Sequence, residues 1–240
     1  MPSVIVTGAD RGLGLSLCKE YLNRGWTVFA GKYLEDYTLL EDLQITQPNL
    51  HIVYLDMSDS DSIKSAAGRI SEVSGSLDMM ISNAALMNKV ECSLYEPPMD
   101  LEAVWNSFEV NALGPLLLTE AVLPLMADSE YRRLCYISSE VSSIVLMRHS
   151  RDGGFPYPMS KTAMNMGIRM MHNQLWRDGY RFRLFHPGWM KKRQADGTLS
   201  DGAKYDPDDI GRTAALYFDS ALDDEHRLVM VDYNGQEWTY

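Results

Sequence analysis

Short apolar runs alternate with amphipathic stretches along the whole chain. Between the runs, apolar positions recur with helical spacing, as at Leu13, Leu17 and Tyr21. The runs are uninterrupted, which suits strands that are covered on both faces of a sheet. They are residues 4–6, 27–30, 52–55, 79–81, 134–137, 182–185 and 228–231. The pattern predicts one α/β domain over residues 1–240, with a doubly wound, mostly parallel sheet of about seven strands flanked by helices.

Two polar or glycine-rich segments interrupt this alternation, residues 144–156 and 191–206. Each follows the end of a predicted strand. Ligands of open α/β sheets bind at the carboxyl ends of the strands, so we expect both segments to be walls of a ligand site.

Composition and charge narrow the function classes. A net charge of −11 and a pI near 4.9 oppose binding to nucleic acid or anionic lipid, which rely on clustered Lys and Arg. The first residues lack the features of a signal peptide, and no uninterrupted apolar run approaches the roughly 20 residues of a membrane helix. We therefore expect a soluble, cytoplasmic protein without nucleic-acid or membrane partners.

The three cysteines, Cys18, Cys92 and Cys135, are widely spaced and form no C-x-x-C pair. No histidine lies beside them at ligand spacing. The sequence therefore predicts buried, reduced thiols rather than a disulfide or a metal site.

A glycine-rich stretch, "TGADRGLG", follows the first predicted strand and precedes a helical pattern. Its glycines, Gly8, Gly12 and Gly14, allow a tight turn and a close approach to a pyrophosphate, toward which the next helix directs its N-terminal N–H groups. The alternative is an ordinary left-handed turn with a close helix contact.

A second motif, "YPMSK", places Tyr157 and Lys161 one helical turn apart. A tyrosine has a pKa of about 10, so it holds a proton that it can give to an alkoxide. A lysine within roughly 4 to 6 Å lowers the cost of the phenolate when the reaction runs in reverse. The alternative is a surface pair without chemistry.

With these motifs the sequence resembles the short-chain dehydrogenase/reductase family, whose signatures are TGxxxGxG and YxxxK. The match continues in order through "SNAA" at 82–85, which resembles the family's NNAG with Ser82 and Ala85 changed. It then runs through "VNALG", "YISSEVSS" and "HPGW". The segments "FHPGWM" and "VDYNGQEWTY" look most like carbonyl reductases of the C-factor and sniffer type. The resemblance implies a Rossmann-type fold.

The resemblance also implies four catalytic residues: Asn111, Ser139, Tyr157 and Lys161. Tyr157 would be the general acid/base and Lys161 its electrostatic partner, which also bridges the cofactor ribose. Ser139 would bind the substrate oxygen, and Asn111 would hold a water that relays protons. Strand alternation leaves three neighbouring serines as competitors of Ser139, because a one-residue slip changes which one faces the site; they are Ser138, Ser142 and Ser143.

The implied cofactor is a nicotinamide dinucleotide. Arg11 and Lys32 lie where the family binds a 2′-phosphate, so NADP(H) is favoured over NAD(H), although Glu35 and Asp36 follow closely. The expected cofactor-binding residues are Gly8, Arg11, Gly12, Leu13, Gly14, Lys32, Asp56, Met57, Asn83, Ala84, Tyr157, Lys161, Pro187 and Gly188. Lys192 replaces the threonine that contacts the carboxamide in the family, which puts that contact and the order of the 191–206 loop in question.

Mostly apolar side chains are expected to line the substrate pocket, which suits an aromatic or aliphatic carbonyl compound. They are Met87, Leu146, Met147, Phe155, Trp189 and Met190. Arg148 and His149 either bind a carboxylate or, as we expect, face water.

Taken together, the sequence predicts an NADP(H)-dependent oxidoreductase that interconverts a carbonyl compound and an alcohol by hydride transfer. The alternative is a dinucleotide-binding sensor or interaction protein without turnover. The resemblance implies a homodimer or homotetramer built from the helices at 101–126 and 157–176.

Overall fold

The computed structural model describes residues 1–87, 99–147 and 154–240. Its centre is an eight-stranded sheet with the order β3-β2-β1-β4-β5-β6-β7-β8. The strands are β1 Ser3–Val6, β2 Thr27–Lys32, β3 Leu50–Tyr54, β4 Met79–Ser82, β5 Arg133–Ile137, β6 Arg181–His186, β7 Met230–Asp232 and β8 Glu237–Trp238. The first seven pair in parallel and β8 is antiparallel to β7, so the predicted mostly parallel α/β sheet is confirmed. The eighth strand was missed because its two residues form no apolar run.

Helices cover both faces of the sheet. They are α1 Gly12–Asn23, α2 Leu39–Gln44, α3 Ser60–Ser74, α4 Leu101–Phe108, α5 Gly114–Met126, α6 Pro156–Leu175 and α7 Pro207–Asp219. A π-helical turn, Glu109–Leu113, joins α4 to α5. Short 3₁₀ turns at Glu140–Ser142 and Trp176–Asp178 complete the set.

The core has two halves because neighbouring strand residues point to opposite faces of the sheet. Phe29 packs with residues of α3, α5 and α6, whereas Ala30 packs with residues of α1, α2 and α7. The direction of strand addition reverses between β1 and β4. Ligands of open α/β sheets bind in the crevice at such a reversal, at the carboxyl ends of the strands.

The helical run Leu101–Met126 has 26 residues and is long and apolar enough to cross a membrane by length and composition alone. The prediction that no segment approaches this length considered only uninterrupted apolar runs. It is wrong when a helix is judged by its average composition. Three glutamates interrupt the run, and 39% of its most apolar window is buried inside the fold. Leu118, Val122 and Met126 of α5 pack into the core, so a helix flanking a sheet accounts for this composition.

Cys18 and Cys135 are fully buried free thiols, and burial raises the pKa of both. Both are inert hydrophobic packing residues in this environment. Cys92 lies outside the described residues.

Candidate active site

The glycine loop is held by hydrogen bonds between the ends of β1 and β4. The buried Thr7 hydroxyl accepts the backbone N–H groups of Asn83 at 3.0 Å and Ala84 at 2.9 Å. The Asn83 amide donates in return to the carbonyl oxygens of Thr7 at 2.9 Å and Gly8 at 3.1 Å. The "SNAA" segment thus fixes the shape of the glycine turn. The hydroxyl oxygen of Ser82 is buried without a hydrogen-bond partner among the described residues.

Two of the glycines are required by close contacts. Gly8 has φ +60°, and a Cβ there would lie 2.8 Å from the Cα of Ala84. A Cβ on Gly14 would meet the carbonyl oxygen of Gly8 and lie 2.7 Å from the amide nitrogen of Asn83. Side chains at these positions would push the turn away from β4.

The start of α1 fits the pyrophosphate of a dinucleotide. Arg11 at the N-cap position makes no side-chain hydrogen bond to the first turn, which contains no acidic residue. A Cβ on Gly12 would meet nothing within 4 Å, so the turn is open on that side. Within the described residues, the Arg11 side chain therefore leaves the N–H groups of Gly12, Leu13 and Gly14 without a side-chain cap, and such a helix N-terminus favours an anion.

Ser139 and Tyr157 come together although 18 positions separate them in the sequence. Tyr157 lies in the first turn of α6 and is half-buried. Burial raises the pKa of Tyr157 above its ordinary value of 10, and a side-chain hydrogen bond from Ser139 opposes this rise. Tyr157 is therefore protonated at neutral pH, as a general acid must be.

The competing serines face the interior instead. The exposed fractions of Ser138, Ser142 and Ser143 are 2%, 1% and 0%, and each hydroxyl has a partner elsewhere. Ser139 also accepts a long hydrogen bond of 3.4 Å from the N–H of Val141, so it caps the 3₁₀ turn as well.

Lys161 is buried, and its ammonium donates to the carbonyl oxygen of Ile137 at 2.9 Å. Burial lowers the pKa of Lys161 from 10.5 to about 8. No hydrogen bond joins this ammonium to the Tyr157 hydroxyl within the part of the chain that the structure describes. Direct pairing of the two groups, as the sequence suggested, therefore stays a prediction for the cofactor-bound protein.

Asn111 lies in the π-helical turn and is fully buried. Its amide nitrogen donates to the carbonyl oxygen of Leu86 at 2.8 Å and to the hydroxyl of Ser160 at 3.0 Å. Its amide oxygen accepts the N–H of Leu86 at 2.7 Å. Both amide hydrogens are thus used to join the end of β4 to α6, and the water relay stays a prediction.

Arg11 and Lys32, the two residues expected to bind a 2′-phosphate, each contact another side chain in this structure. Arg11 donates to the hydroxyl of Tyr37 at 2.6 Å, and its guanidinium lies 4.9 Å from that ring's centroid. Lys32 forms an ion pair with Glu41. A cleft of about 260 Å³ opens beside Lys32 and is lined by Lys32, Tyr33, Glu35, Ile52 and Tyr54.

Asp56 and Met57, which follow β3 and were predicted to contact the cofactor, have side chains that contact other parts of the protein. Asp56 is half-buried, and its carboxylate accepts the N–H of Ser58 at 2.8 Å and the Ser58 hydroxyl at 2.6 Å. The Met57 side chain is 4% exposed and packs in the core. Contact of Met57 with a cofactor would therefore use its backbone.

Asp10 was missed by the sequence reasoning. It is 4% exposed, and its carboxylate accepts the N–H groups of Tyr33 at 2.8 Å and Leu34 at 2.7 Å. It ties the glycine loop to the segment after β2. No sequence signal separates it from the other loop acids.

The segment after β6 contains a short antiparallel hairpin, in which Arg193 pairs with Leu199. An isolated parallel bridge between Met190 and Tyr205 joins the two ends of the segment. At its middle, the N–H of Lys192 donates to the Ser200 hydroxyl at 2.9 Å, and the N–H of Ser200 donates to the Lys192 carbonyl at 2.8 Å. The hairpin brings a hydroxyl beside the position that holds threonine in the family.

Tyrosines pack closely against the start of this hairpin. Pro187 is buried, and Gly188 has φ +73°. A Cβ on Gly188 would lie 2.7 Å from the ring of Tyr233, whose hydroxyl accepts a 2.7 Å hydrogen bond from Tyr205. The turn after β6 is therefore fixed by packing.

The expected pocket residues differ in exposure. Met87 and Trp189 are 64% and 68% exposed. Leu146, Met147 and Phe155 are 37–38% exposed. Met190 packs against the α1-side core with Tyr205, so its side chain serves the fold. Arg148 and His149 lie outside the described residues.

A doubly wound sheet whose glycine turn precedes the N-terminus of α1, with Ser139, Tyr157 and Lys161 gathered at the end of β5, is the arrangement of a dinucleotide-dependent oxidoreductase. The sequence matches the short chain dehydrogenase family over residues 2–201, and the chain belongs to that family. It is an NAD(P)-dependent oxidoreductase, as the sequence predicted.

Relatives agree with this placement. An uncharacterised oxidoreductase of Schizosaccharomyces pombe is 30% identical over 93% of this chain and 88% of its own length. The C-signal protein of Myxococcus xanthus is 33% identical over 68% of this chain and 92% of its own length. The NADPH-bound carbonyl reductase from chicken fatty liver has a TM-score of 0.85 at 27% identity, and the match covers 100% of this chain and 99% of that one. The predicted likeness to carbonyl reductases is thus confirmed.

Proposed function

We propose that the protein reduces small apolar aldehydes or ketones with NADPH and catalyses the reverse oxidation of the alcohols. The observation that carries this proposal is the convergence of three side chains at the carboxyl end of β5: Ser139, Tyr157, whose pKa Ser139 lowers, and Lys161, whose ammonium binds the Ile137 carbonyl at 2.9 Å. NADPH, when bound, supplies the hydride. The half-exposed Met147 and Phe155 and the exposed Met87 and Trp189 support an apolar substrate.

The chain's own residues would manage the proton and the substrate oxygen. The Ser139 hydroxyl would donate to the substrate oxygen and orient it, as a preorganised donor at a developing negative charge. Tyr157 would then give its proton to that oxygen. Lys161 has a pKa of about 8, so it carries a positive charge on most molecules at neutral pH and favours the phenolate that remains.

The preference for NADP(H) is part of the proposal. Arg11 and Lys32 supply two cations at the carboxyl ends of β1 and β2, where a 2′-phosphate would add two negative charges. Their present partners, the neutral Tyr37 and the half-exposed Glu41, leave both side chains able to bind a phosphate. The chicken enzyme carries NADPH, in line with this choice.

We further propose that the protein is a homodimer or homotetramer. Large apolar side chains are exposed on the neighbouring helices α4, α5 and α6; they are Trp105 at 64%, Leu117 at 37%, Met166 at 63% and Met170 at 58% exposure. A second copy would cover them. Light scattering after size exclusion should give twice or four times the 27.2 kDa chain mass, and a monomer would contradict this part.

The central test is NADPH oxidation with a panel of aromatic and aliphatic aldehydes and ketones. The wild type should turn over, and Tyr157→Phe should lower kcat by about 100-fold or more while its NADPH affinity stays within about twofold. Tyr180→Phe is the control, because Tyr180 precedes β6 at its amino end and its hydroxyl makes a long 3.4 Å bond to the Leu123 carbonyl. NADPH binding without turnover of any compound would favour the sensor alternative.

A further inference from the structure

Behind the Ser139–Tyr157 pair lies a buried cluster of three polar side chains, Ser138, Ser142 and Asn165. Their exposed fractions are 2%, 1% and 3%. The two serines belong to the segment that carries Ser139, and Asn165 lies on α6 one turn beyond Lys161. The cluster therefore joins the segment of the serine to the helix of the tyrosine.

The direction of each hydrogen bond follows from the protons that are available. The Ser142 hydroxyl has one proton, and it lies 2.6 Å from the carbonyl oxygen of Ser139, which can only accept. The Ser142 oxygen must then accept from the Asn165 amide nitrogen, at 2.8 Å. The Asn165 amide oxygen consequently faces Ser138, whose hydroxyl donates to it at 2.8 Å. The cluster needs both a donor and an acceptor at position 165.

Side chains of α6 form hydrogen bonds to residues 137–142, the segment that contains Ser139. The Lys161 ammonium binds the Ile137 carbonyl at 2.9 Å, and the Thr162 hydroxyl binds the Ser142 carbonyl at 3.0 Å. Asn165 adds the contact that reaches the Ser139 carbonyl through Ser142. Tyr157, Lys161 and Asn165 are spaced by four residues and so lie along one face of the helix.

We propose that Asn165, acting through Ser142, is a positioning residue that holds the Ser139 hydroxyl in register with Tyr157 for catalysis. This inference rests on the proposed carbonyl reduction. A catalytic pair works only when its groups are held within a few tenths of an ångström of the productive geometry by packed, hydrogen-bonded neighbours. The Asn165 cluster adds to the backbone N–H of Ser142, which donates to the Ser139 carbonyl at 3.1 Å, and to the long 3.4 Å bond from the N–H of Val141 to the Ser139 hydroxyl.

Two substitutions test the proposal. Asn165→Asp keeps the shape of the side chain but removes the N–H donor to Ser142. The Ser142 hydroxyl then donates to the new carboxylate instead of the Ser139 carbonyl. Ser142→Ala removes the link with little change of volume. Both should lower kcat by about 10-fold while the KM for NADPH stays within about twofold.

The pH dependence of kcat separates positioning from a general structural effect, and it is measured in Ser142→Ala. Reduction needs a protonated Tyr157, so kcat falls as the pH rises through the pKa of that phenol. The Ser139 hydrogen bond lowers this pKa, and its weakening should move the alkaline fall of kcat to higher pH. Asn165→Asp is unsuitable here because the introduced carboxylate would also act on Lys161.

Ser129→Ala is the matched control. Ser129 is a buried serine, 7% exposed, that donates to Asp78 at 2.6 Å before the amino end of β5. The Ser129→Ala variant should be less stable than the wild type but should keep the wild-type kcat and pH profile. The inference would be overturned by an active wild type whose Ser142→Ala and Asn165→Asp variants keep kcat and whose Ser142→Ala variant keeps the pH profile. An equal loss of kcat in Ser129→Ala would also overturn it. A wild type inactive on every carbonyl compound would instead overturn the proposed function.

Discussion

The Lys161 ammonium nitrogen lies 2.9 Å from the carbonyl oxygen of Ile137, the last residue of β5. Lys161 is 2% exposed, and no salt bridge to a carboxylate is found for it within the described residues. A buried cation whose acceptors are one carbonyl oxygen and, at 3.9 Å, the Met164 sulfur is poorly solvated, which is why burial lowers the pKa of Lys161 to about 8. The buried charge lowers the free energy of unfolding, as expected of a group that is kept for the reaction.

Replacing this lysine should therefore stabilise the protein. At pH 7, Lys161→Met should raise the free energy of unfolding by about 1 to 3 kcal/mol, because the variant buries no charge. Between about pH 8 and 10.5 the unfolded chain binds the lysine proton and the folded chain releases it, so wild-type stability rises with pH in this window. Urea unfolding at pH 7 and pH 10 should show the advantage of the variant shrinking. A less stable variant at pH 7 would contradict the prediction.

Gly14 should tolerate no side chain. Alanine normally favours a helix over glycine, but at Gly14 its Cβ would meet Gly8 and Asn83. Gly14→Ala should lower the free energy of unfolding by about 1 to 3 kcal/mol and weaken NADPH binding. Gly68→Ala on α3, where a Cβ meets nothing within 4 Å, should instead stabilise by about 0.5 to 1 kcal/mol. Thermal unfolding and fluorescence titration measure both effects.

Arg11 should decide cofactor preference. Arg11→Ala should raise the Kd for NADPH by about 10-fold or more through loss of a charge-assisted bond, with the Kd for NADH within about twofold. Arg69→Ala removes an arginine of the same charge from the exposed pair with Glu72 on α3. It should leave both constants unchanged. Equal losses for the two cofactors in Arg11→Ala would assign Arg11 to the pyrophosphate instead.

The ion pair between Arg183 and Glu225 should matter more than a surface pair. Arg183 is 0% exposed and binds both carboxylate oxygens, at 2.6 and 2.7 Å. Glu225→Gln would leave a buried charge unpaired and should lower the free energy of unfolding by about 3 kcal/mol. Glu237→Gln, which breaks the exposed pair with Arg227, should change it by less than about 0.5 kcal/mol.

The same pair should give a pH dependence. Burial opposes ionisation of Glu225, but the hydrogen bonds from Arg183 outweigh it and hold the pKa below 4.5. The stability from this pair is therefore present above pH 4.5 and is lost as the pH falls through the folded-state pKa. Glu225→Gln should flatten this acid limb in urea unfolding between pH 3 and 6. An unchanged limb would assign acid sensitivity to other carboxyls.

The sequence by itself determined the architecture and the location of the chemistry. Seven apolar runs became seven parallel strands because buried strands need side chains that suit both faces, a local property. The glycine spacing placed a turn where Gly8 and Gly14 meet other backbone, and the four-residue spacing put Tyr157 and Lys161 on one helical face. Each of these signals lies within a few residues.

Only the tertiary structure decided which groups meet. The register of α6 against the end of β5 selects Ser139 from four nearby serines, directs Lys161 to Ile137 and makes Asn165 part of the site. The packing of Gly188 against Tyr233 and the partners of Arg11 and Lys32 likewise depend on residues that are separate in the chain. Such contacts are set by how packed elements settle against each other, so no local pattern encodes them.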